Sequence, residues 1–326
     1  MKIPPDLVTV IKNQLGKDYR LVSLCGDASH RQYWQVLSKS NSLILCYDKD
    51  LIEKEWTETP QGIVHNLLDY RGVSVPHFYY TEAGYSLQED GGSVAYDIMD
   101  KISDIKKFYE TALDELLLIQ SVSPDGSHPF QIAFDEEKLN FETDFFIKHF
   151  VQGYCAIDDN GFLKELKSLF SLINELLFQP DKFVLSHRDY HCKNILYLNQ
   201  KIMIIDYQDA RLGLPQYDVV SLLQDPYCML EDDLRKYLID YYFSKMNDEL
   251  YISLNRNDFD YLYEIMAFQR NVKAIGSYGF LVTEKSKPEY EKFILPAVRY
   301  LKSYGKKSKE VKEGVELILE KVENKI

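Results

Sequence analysis

The sequence predicts an α+β fold of two lobes, in which a small antiparallel sheet precedes a larger helical lobe. Up to about residue 92 the apolar residues fall in short strand-like runs, and beyond it they recur at helical spacing. A length of 326 residues exceeds what one small core requires and fits a two-lobed body. We therefore predict an N-terminal lobe of residues 1–91 and a C-terminal lobe of residues 92–326.

The elements of each lobe follow from these patterns. The predicted strands span residues 19–24, 32–37, 42–47 and 85–88, with one helical pattern within 53–70. In the C-terminal lobe, apolar stripes at helical spacing start at Ile105, Phe162 and Phe259. The lysine-rich end, residues 302–326, carries apolar residues at the same spacing and predicts a docked terminal helix.

The motif richest in chemistry lies in residues 186–196, followed by an apolar strand pattern that ends in Asp206. Transfer of a phosphoryl group from a nucleotide needs a carboxylate beside the attacking hydroxyl and oxygen ligands for Mg²⁺. Asp189 would be the base, and Asn194 and Asp206 would hold the metal. A single Asp in a polar loop is usually a turn former, but these three residues occur in the required order and spacing.

The spacing also predicts how these residues are held. An apolar pair, Val184-Leu185, leads into the loop that carries Asp189. Residues 195–198 and 201–205 then form two arms of a hairpin, with Asn199-Gln200 at its turn. One hairpin would therefore keep the base and the metal ligands together.

The loop matches the His-x-Asp-x4-Asn pattern of the aminoglycoside phosphotransferase and choline kinase group, which the chain resembles. The resemblance implies the protein-kinase-like fold, with ATP and Mg²⁺ as cofactors. Protein kinases usually carry Asp-Phe-Gly at the second metal site. Here His191 follows the base by two residues and the second site reads Asp206-Tyr207-Gln208, which favours a small-molecule acceptor.

A narrower likeness is to the bacterial cell-wall amino-sugar kinases, which phosphorylate the anomeric hydroxyl of N-acetylmuramate or N-acetylglucosamine. The segments that carry it are residues 26–33, 72–76, 206–210, 217–225 and 269–276. The resemblance spans roughly residues 20 to 300. It implies a sugar acceptor and a role in cell-wall recycling.

Two segments are candidates for nucleotide binding. Residues 88–92 follow a strand pattern and end in paired glycines, so Glu89 and Asp90 are placed at the hinge between the lobes. The turn between the first two strands offers Ser29 and Arg31 to the phosphates. Each segment could instead be an ordinary loop.

One part of a kinase is absent from the sequence. Kinase-like folds place a lysine on the third strand to hold the α- and β-phosphates. That strand reads Ser-Leu-Ile-Leu-Cys-Tyr over residues 42–47, and Lys49 lies beyond its end. Arg31 or Lys49 could compensate, although either could also be a solvated surface charge.

Four further residues are predicted to support the site. In the resembling families the histidine that matches His187 braces the backbone, so the same role is expected here. His191 would orient Asp189, touch substrate or only pack. Asp209 would accept a hydrogen bond behind the metal. Asp218 precedes an apolar helical run and is predicted to be its N-cap.

The acceptor site has two candidate residues. Arg270 and Lys273 lie three apart on one helical face, so they could present two cations to a substrate carboxylate or to the donor phosphates. The alternative is that both form salt bridges with neighbouring acids.

Composition bounds the partners and the setting. A formal net charge of −13 disfavours a nucleic-acid partner. The N-terminus has no signal-like apolar segment, and no apolar run approaches the length of a membrane span. Five cysteines with no Cys-x-x-Cys pair fit a reducing cytoplasm. The oligomeric state is open, with a monomer expected.

Two alternatives share these features. An aminoglycoside- or choline-type phosphotransferase has the same catalytic residues and differs in its acceptor, for which an acidic pocket would be the sign. A nucleotide-binding regulator with little or no catalysis is suggested by the absent lysine.

Overall fold

A five-stranded antiparallel sheet forms the first part of the molecule. The computed structural model describes residues 3–24 and 31–325. The strand order is β1-β2-β3-β5-β4, and two helices accompany the sheet. Their bounds are α1 (Pro5–Leu15), β1 (Arg20–Leu24), β2 (Gln32–Leu37), β3 (Ser42–Tyr47), α2 (Pro60–Arg71), β4 (Phe78–Glu82) and β5 (Tyr85–Glu89).

The register of the sheet explains its small core. Val36 on β2 lies opposite Leu43 on β3, and Leu45 lies opposite Leu87 on β5. Because side chains alternate between the two faces of a strand, these residues share one face. The buried side chains of this core, including two from α1, are Leu7, Ile11, Val36, Leu43, Leu45 and Leu87.

The second part of the molecule is mainly helical. Polar caps set several of its helix starts: the side chains of Asp104, Asp135 and Asp159 each accept a backbone N–H of the first turn. A π-helical segment, Ile147–Tyr154, continues α5. The helices are α3 (Ala95–Ile98), α4 (Ile105–Gln120), α5 (Glu136–Phe146), α6 (Asn160–Leu177), α7 (Gln216–Leu223), α8 (Asp232–Glu249), α9 (Arg256–Thr283), α10 (Ile294–Leu301) and α11 (Lys309–Val322).

Short strands between α6 and α7 complete the helical part. β7 (Val184–Ser186) pairs with β10 (Arg211–Gly213), and β8 (Ile195–Leu198) forms a hairpin with β9 (Lys201–Ile204). β6 (Ser93–Val94) adds to the other edge of β8. Asn199 and Gln200 both have positive φ, 50° and 63°, as a tight two-residue hairpin turn requires. The predicted hairpin and its turn are therefore confirmed.

Helix α9 runs through the centre of the helical part. Its backbone approaches α5 and the π-helical segment so closely that glycine is needed at two positions. A Cβ on Gly276 would lie 2.7 Å from the Cα of Phe146, and one on Gly279 would lie 2.7 Å from the carbonyl oxygen of His149. The close packing keeps the two helices in a fixed relation, and α9 carries residues of the site described below.

Most predicted elements are present, and the differences have local causes. The helix predicted within residues 53–70 starts at Pro60, because Thr59 caps it by accepting the N–H of Gly62, at 3.0 Å. Helix α1 and strand β4 were not predicted. The terminal helix spans Lys309–Val322, and its apolar stripe is buried as expected.

Among residues 3–24 and 31–325, no helix is both long enough and apolar enough to cross a membrane.

Gly276→Ala is expected to destabilise the protein. The added methyl group must push apart two backbones that are in contact, and overpacking of this kind costs about 1–3 kcal/mol of the free energy of unfolding. Urea denaturation measures the change. Gly161→Ala, in the first turn of α6, is the control, because its Cβ would meet a side-chain oxygen, Asp159 Oδ1, at 3.3 Å and would not press on another segment's backbone. Equal stability of the two variants would contradict the packing argument.

Candidate active site

The three residues predicted to carry the chemistry lie together. Asp189 and Asn194 belong to the loop of residues 187–194, termed the catalytic loop, and Asp206 follows β9. The Asn194 side-chain amide donates to the backbone oxygen of Asp189 (2.9 Å) and to Asp206 Oδ2 (3.4 Å). The hairpin of β8 and β9 thus brings residues 12 positions apart into contact, as predicted.

Asp189 is a half-buried carboxylate held among cations. Its Oδ1 lies 3.2 Å from Lys273 Nζ, and 28% of its side chain is exposed. Burial alone would raise the pKa of Asp189, but the positive charges of Lys273, Arg188 and Arg270 outweigh it and lower that pKa far below its usual range. Asp189 is therefore ionised at any physiological pH. Its Oδ2 remains for a further hydrogen bond.

Asn194 and Asp206 fit a hard divalent cation. Because Asn194 Nδ2 is directed at the Asp189 carbonyl, the Asn194 Oδ1 is the atom left to act as a ligand. Asp206 has φ 66°, a conformation that costs energy in a non-glycine residue and is typical of functional positions. Gln208 Nε2 donates to Asp206 Oδ1 at 2.7 Å and helps to orient it. Carboxylate and amide oxygens are the ligands that Mg²⁺ prefers.

Asp218 holds the start of the catalytic loop. Its two oxygens accept the backbone N–H groups of His187 (2.7 Å) and Arg188 (3.0 Å). The predicted N-cap role is wrong: Asp218 is the third residue of α7, whose cap position is Pro215. Complete burial raises the pKa of Asp218 to about 7, while the two amide donors oppose the rise. Its oxygens accept hydrogen bonds in either protonation state.

His187 joins the two segments of the site. Its Nε2 lies 3.0 Å from the carbonyl oxygen of Ile205, the residue before Asp206. Burial lowers the pKa of His187, so the ring is neutral and its Nε2–H donates to that carbonyl. This geometry matches the backbone bracing that was predicted.

His191 is a buried neutral side chain. Burial lowers its pKa to about 3. The ring packs edge-on against Tyr227, 5.6 Å between centroids, and its Nδ1 has no hydrogen-bond partner among the described residues. Its backbone N–H donates to the Asp189 carbonyl at 3.1 Å. Of the roles considered for His191, packing and support of the loop agree with this position.

Asp209 forms an ion pair within the site. Its Oδ2 lies 2.9 Å from an Arg188 guanidinium nitrogen. Arg188 itself has φ 83°, a strained conformation that its backbone contact with Asp218 maintains. Asp209 therefore orients a cation beside Asp189 and does not contact Asp206 in this structure.

A cleft of about 580 Å³ opens beside Asn194 and Asp206. Strands of the sheet form one wall and the β8–β9 hairpin the other, so the cleft lies between the two lobes. Its walls combine apolar side chains with a few polar groups, as pockets for small molecules do. The apolar residues include Leu24, Ile44, Val94, Leu196 and Ile205.

The predicted nucleotide-binding residues have different positions. Ser29 lies outside the described residues. Arg31 and Asp90 line the cleft, whereas Glu89 does not. Asp90 Oδ2 accepts from Gln35 and Ser42, at 2.8 and 2.7 Å, so it fastens the hinge to the sheet. Gly92, with φ 88°, makes the turn after it that other residues rarely adopt.

The absent lysine leaves Arg31 as the cation of the cleft. Ile44 and Cys46 are the residues of β3 that face it. Lys49 is exposed and does not line it, so compensation by Lys49 does not fit the structure. Arg31 is the one cationic side chain among the described residues of the cleft, and its Nε lies 2.9 Å from Asp48 Oδ2.

Lys273, the ion-pair partner of Asp189, belongs to a group of four cations that lie near one another. We term Lys138, Arg188, Arg211 and Lys273 the cationic cluster; all four are partly exposed. Burial lowers the pKa of Lys138, and the positive charges of Arg188, Arg211 and Lys273 lower it further despite nearby Glu142. The cluster is therefore dense enough that its members repel one another. The sequence predicted Lys273 as a site residue but not Lys138 and Arg211, because these two lie on separate elements.

Arg270 has a supporting position. Only 9% of it is exposed, and its Nε donates to Ser221 Oγ on α7 at 2.8 Å. Its charge helps to keep Asp189 ionised. The prediction that Arg270 binds the acceptor does not fit this burial. Lys273 forms a salt bridge with a neighbouring acid, Asp189, which was the alternative considered for it, and its role toward an acceptor stays a prediction.

Comparison with known proteins identifies relatives over most of the chain. A family model described as "Phosphotransferase enzyme family" matches residues 23–251. A relative from Neisseria meningitidis serogroup B is 25% identical over 315 residues, covering 94% of this chain and 92% of that protein. One from Pseudomonas aeruginosa is 27% identical over 303 residues, covering 91% and 87%. Both are named N-acetylmuramate/N-acetylglucosamine kinase.

Solved structures share the fold at low sequence identity. A spectinomycin phosphotransferase, in complex with ADP and spectinomycin, matches with a TM-score of 0.58 and 15% identity, over 97% of this chain and all of that one. A choline kinase from Cryptosporidium parvum matches with a TM-score of 0.60 and 13% identity, over 92% of each chain. The predicted protein-kinase-like fold and the resemblance read from the motifs are confirmed.

Asp206→Ala is expected to abolish Mg²⁺-dependent nucleotide binding, because it removes the charged metal ligand. Asn194→Ala should weaken binding less, since it removes a neutral ligand. Titration of ATP affinity against Mg²⁺ in both variants measures the order. An unchanged metal dependence in the Asp206 variant would refute its assignment as a ligand.

Proposed function

The chain belongs to the phosphotransferase enzyme family, and from this premise we propose that it transfers the γ-phosphoryl group of ATP to the anomeric hydroxyl of N-acetylmuramate or N-acetylglucosamine. The family and the named relatives support a phosphotransferase that acts on a small-molecule alcohol. The observation that carries the proposal is the meeting of Asp189 with the cationic cluster, next to Asn194 and Asp206.

Asp189 acts on the acceptor hydroxyl. Its Oδ1 is engaged by Lys273, so Oδ2 accepts the hydroxyl hydrogen bond. As the sugar oxygen bonds to the γ-phosphorus, the bond from that phosphorus to the β–γ bridging oxygen breaks and ADP leaves. The hydroxyl proton passes to Asp189 and then to solvent. A loose transition state asks little of the base, which suits a carboxylate with a depressed pKa and an anomeric hydroxyl, more acidic than ordinary alcohols.

Asn194 and Asp206 would hold Mg²⁺, which, when bound, neutralises charge on the transferring phosphoryl group. Arg31 is proposed to take the place of the absent lysine, because it is the cation of the described cleft. Asp48 orients its guanidinium for that role. The hinge around Glu89 and Asp90 would offer backbone groups to the adenine.

The charge of the site selects among acceptors. Aminoglycosides and choline are cations, so a pocket that binds them is expected to be acidic. The cationic cluster has the opposite charge and attracts the carboxylate of N-acetylmuramate. A polycationic acceptor would be repelled by about 1 kcal/mol or more for each close like-charge pair in a partly screened site. The aminoglycoside- or choline-type alternative is therefore disfavoured.

The regulator alternative has less support, because Asp189, Asn194 and Asp206 are assembled for chemistry. We further propose a role in cell-wall recycling, a cytoplasmic setting, a monomeric state and a lobe boundary after residue 91. Neither a nucleic acid nor a membrane is proposed as a partner, and the net charge of −13 disfavours the nucleic acid.

A panel of acceptors tests the proposal. Purified protein and Mg-ATP are incubated with N-acetylmuramate, N-acetylglucosamine, choline and aminoglycosides, and the products are identified by mass and phosphorus NMR. A phosphate on the anomeric oxygen of an amino sugar is the expected result. Phosphate on choline or an aminoglycoside, with amino sugars inert, would overturn the acceptor, and no transfer to any alcohol would favour the regulator.

Asp189→Asn is expected to lower kcat by roughly 10²- to 10⁴-fold, the usual contribution of a general base. ATP affinity should change little, because Asp189 faces the acceptor. Turnover assays and nucleotide titration separate the two quantities. A variant with near wild-type turnover would make Asp189 a structural residue.

Lys138→Gln and Arg211→Gln are expected to discriminate between two acceptors of which only one, N-acetylmuramate, carries a carboxylate. Each should raise the KM for N-acetylmuramate by about 10-fold, as loss of a charge-assisted hydrogen bond does. The KM for neutral N-acetylglucosamine should stay nearly constant. Lys164→Gln, an exposed cation on α6, is the control. Equal changes for both sugars would remove the cluster from carboxylate recognition.

A further inference from the structure

A cluster of sulfur and oxygen atoms lies on the inner side of the catalytic loop. The Sγ atoms of Cys192 and Cys228 are 2.8 Å apart, and Cys192 Sγ lies 3.0 Å from Asp225 Oδ2. Cys192 and Asp225 are buried, at 1% and 3% exposure, and Cys228 is partly exposed. The mechanism proposed above uses none of these side chains.

We propose that Cys192, Asp225 and Cys228 bind a thiophilic divalent cation of the zinc class. The three donor atoms lie within 4.8 Å of one another, close enough to share one ion. Thiolate and carboxylate are both zinc ligands, and Mg²⁺ does not favour sulfur. Binding would release the thiol protons to solvent. The site is chemically distinct from the oxygen ligands Asn194 and Asp206, and it goes beyond the proposed function.

We propose that water supplies the fourth ligand of the ion. The Tyr109 hydroxyl is buried with no hydrogen-bond partner among the described residues. Burial raises the pKa of Tyr109, and the nearby Cys228, Cys192 and Asp225 raise it further. A water molecule on the ion could donate to this hydroxyl, completing four-coordination and satisfying a buried polar group.

Some local movement accompanies binding. Two sulfurs on a tetrahedral ion with bonds of about 2.3 Å lie about 3.7 Å apart, so the pair must open by about 1 Å. Cys228 can move, because it lies beyond α7 and is only partly buried. Asp225 is already fixed, since its Oδ1 accepts the Tyr227 N–H at 2.8 Å.

The ion would tie the catalytic loop to the segment after α7. Cys192 lies between Asp189 and Asn194, so its position affects both. Residues 192 and 228 are 36 positions apart in the sequence, so the site has no Cys-x-x-Cys motif from which it could be predicted. Binding to the folded form alone stabilises it by mass action. The thermal midpoint should rise by about 5 °C when the free ion is about 100-fold above its Kd.

The test uses the full chain, freed of metal with chelator and reductant and then passed into buffer with excess Mg²⁺ to occupy the oxygen ligands. Zinc is titrated against a chromogenic chelator, and cadmium is added separately to observe its ultraviolet charge-transfer band with thiolates. One zinc per chain and a cadmium–thiolate band are expected. Cys228→Ser should weaken zinc binding by more than about 100-fold, since even an outer partner contributes 10- to 100-fold. Cys155→Ser, another buried cysteine, is the control.

Other outcomes overturn the proposal. Zinc affinity equal in Cys228→Ser and Cys155→Ser would place the ion elsewhere. The pair would be a disulfide instead if three results came together. The mass of the unreduced wild-type protein would be lower by two hydrogens, its peptide map would join Cys192 to Cys228, and the reduced protein would take up no metal. Wild-type protein alone also decides: no band with one equivalent of cadmium excludes thiolate ligation, even if the variants fail to fold.

Discussion

The site depends on one carboxylate that touches no substrate. Asp218 accepts the N–H groups of His187 and Arg188, and this pair of hydrogen bonds maintains the left-handed conformation of Arg188 just before the base. A buried carboxylate is costly unless it is fully hydrogen-bonded, and the two amides satisfy it. Because Asp218 belongs to α7 and α7 packs on α9, the central helix of the fold positions the catalytic loop.

The electrostatics follow from the same arrangement. The chain carries a net charge of −13, yet the four side chains of the cationic cluster come from separate elements or loops and lie near one another. Lys273 and Arg188 help to keep Asp189 ionised, and the positive charges of the cluster repel one another, so an anion bound among them would reduce that repulsion. The overall charge thus disfavours nucleic acid as a partner but does not indicate the charge of the pocket, which depends on where a few side chains converge.

The sequence predicted the parts of the site that local spacing determines. Asp189, Asn194 and Asp206 lie on one hairpin, so the order of residues along the chain sufficed to bring them together. Side chains from distant elements were harder to predict. Lys138 and Arg211 have no local signal. Arg270 shares a helical face with Lys273 in the sequence, but packing against α7 buries it. Asp218 resembled a helix N-cap because it precedes an apolar run in the sequence. Its actual partners, the backbone N–H groups of His187 and Arg188, are brought to it only when the catalytic loop folds onto α7.

The cationic cluster has a consequence for the end of the catalytic cycle. Under the proposed function, a sugar phosphorylated beside it would carry more negative charge than the sugar that entered, so the same side chains would hold the product more strongly than the acceptor. Substrate affinity and the rate of product release are then opposed. Stronger attraction of the substrate would slow dissociation of the product, as in enzymes whose turnover is limited by product release. The partial exposure of Lys138 and Arg211 would ease this conflict, because water and salt can screen their attraction for the product and so let it leave.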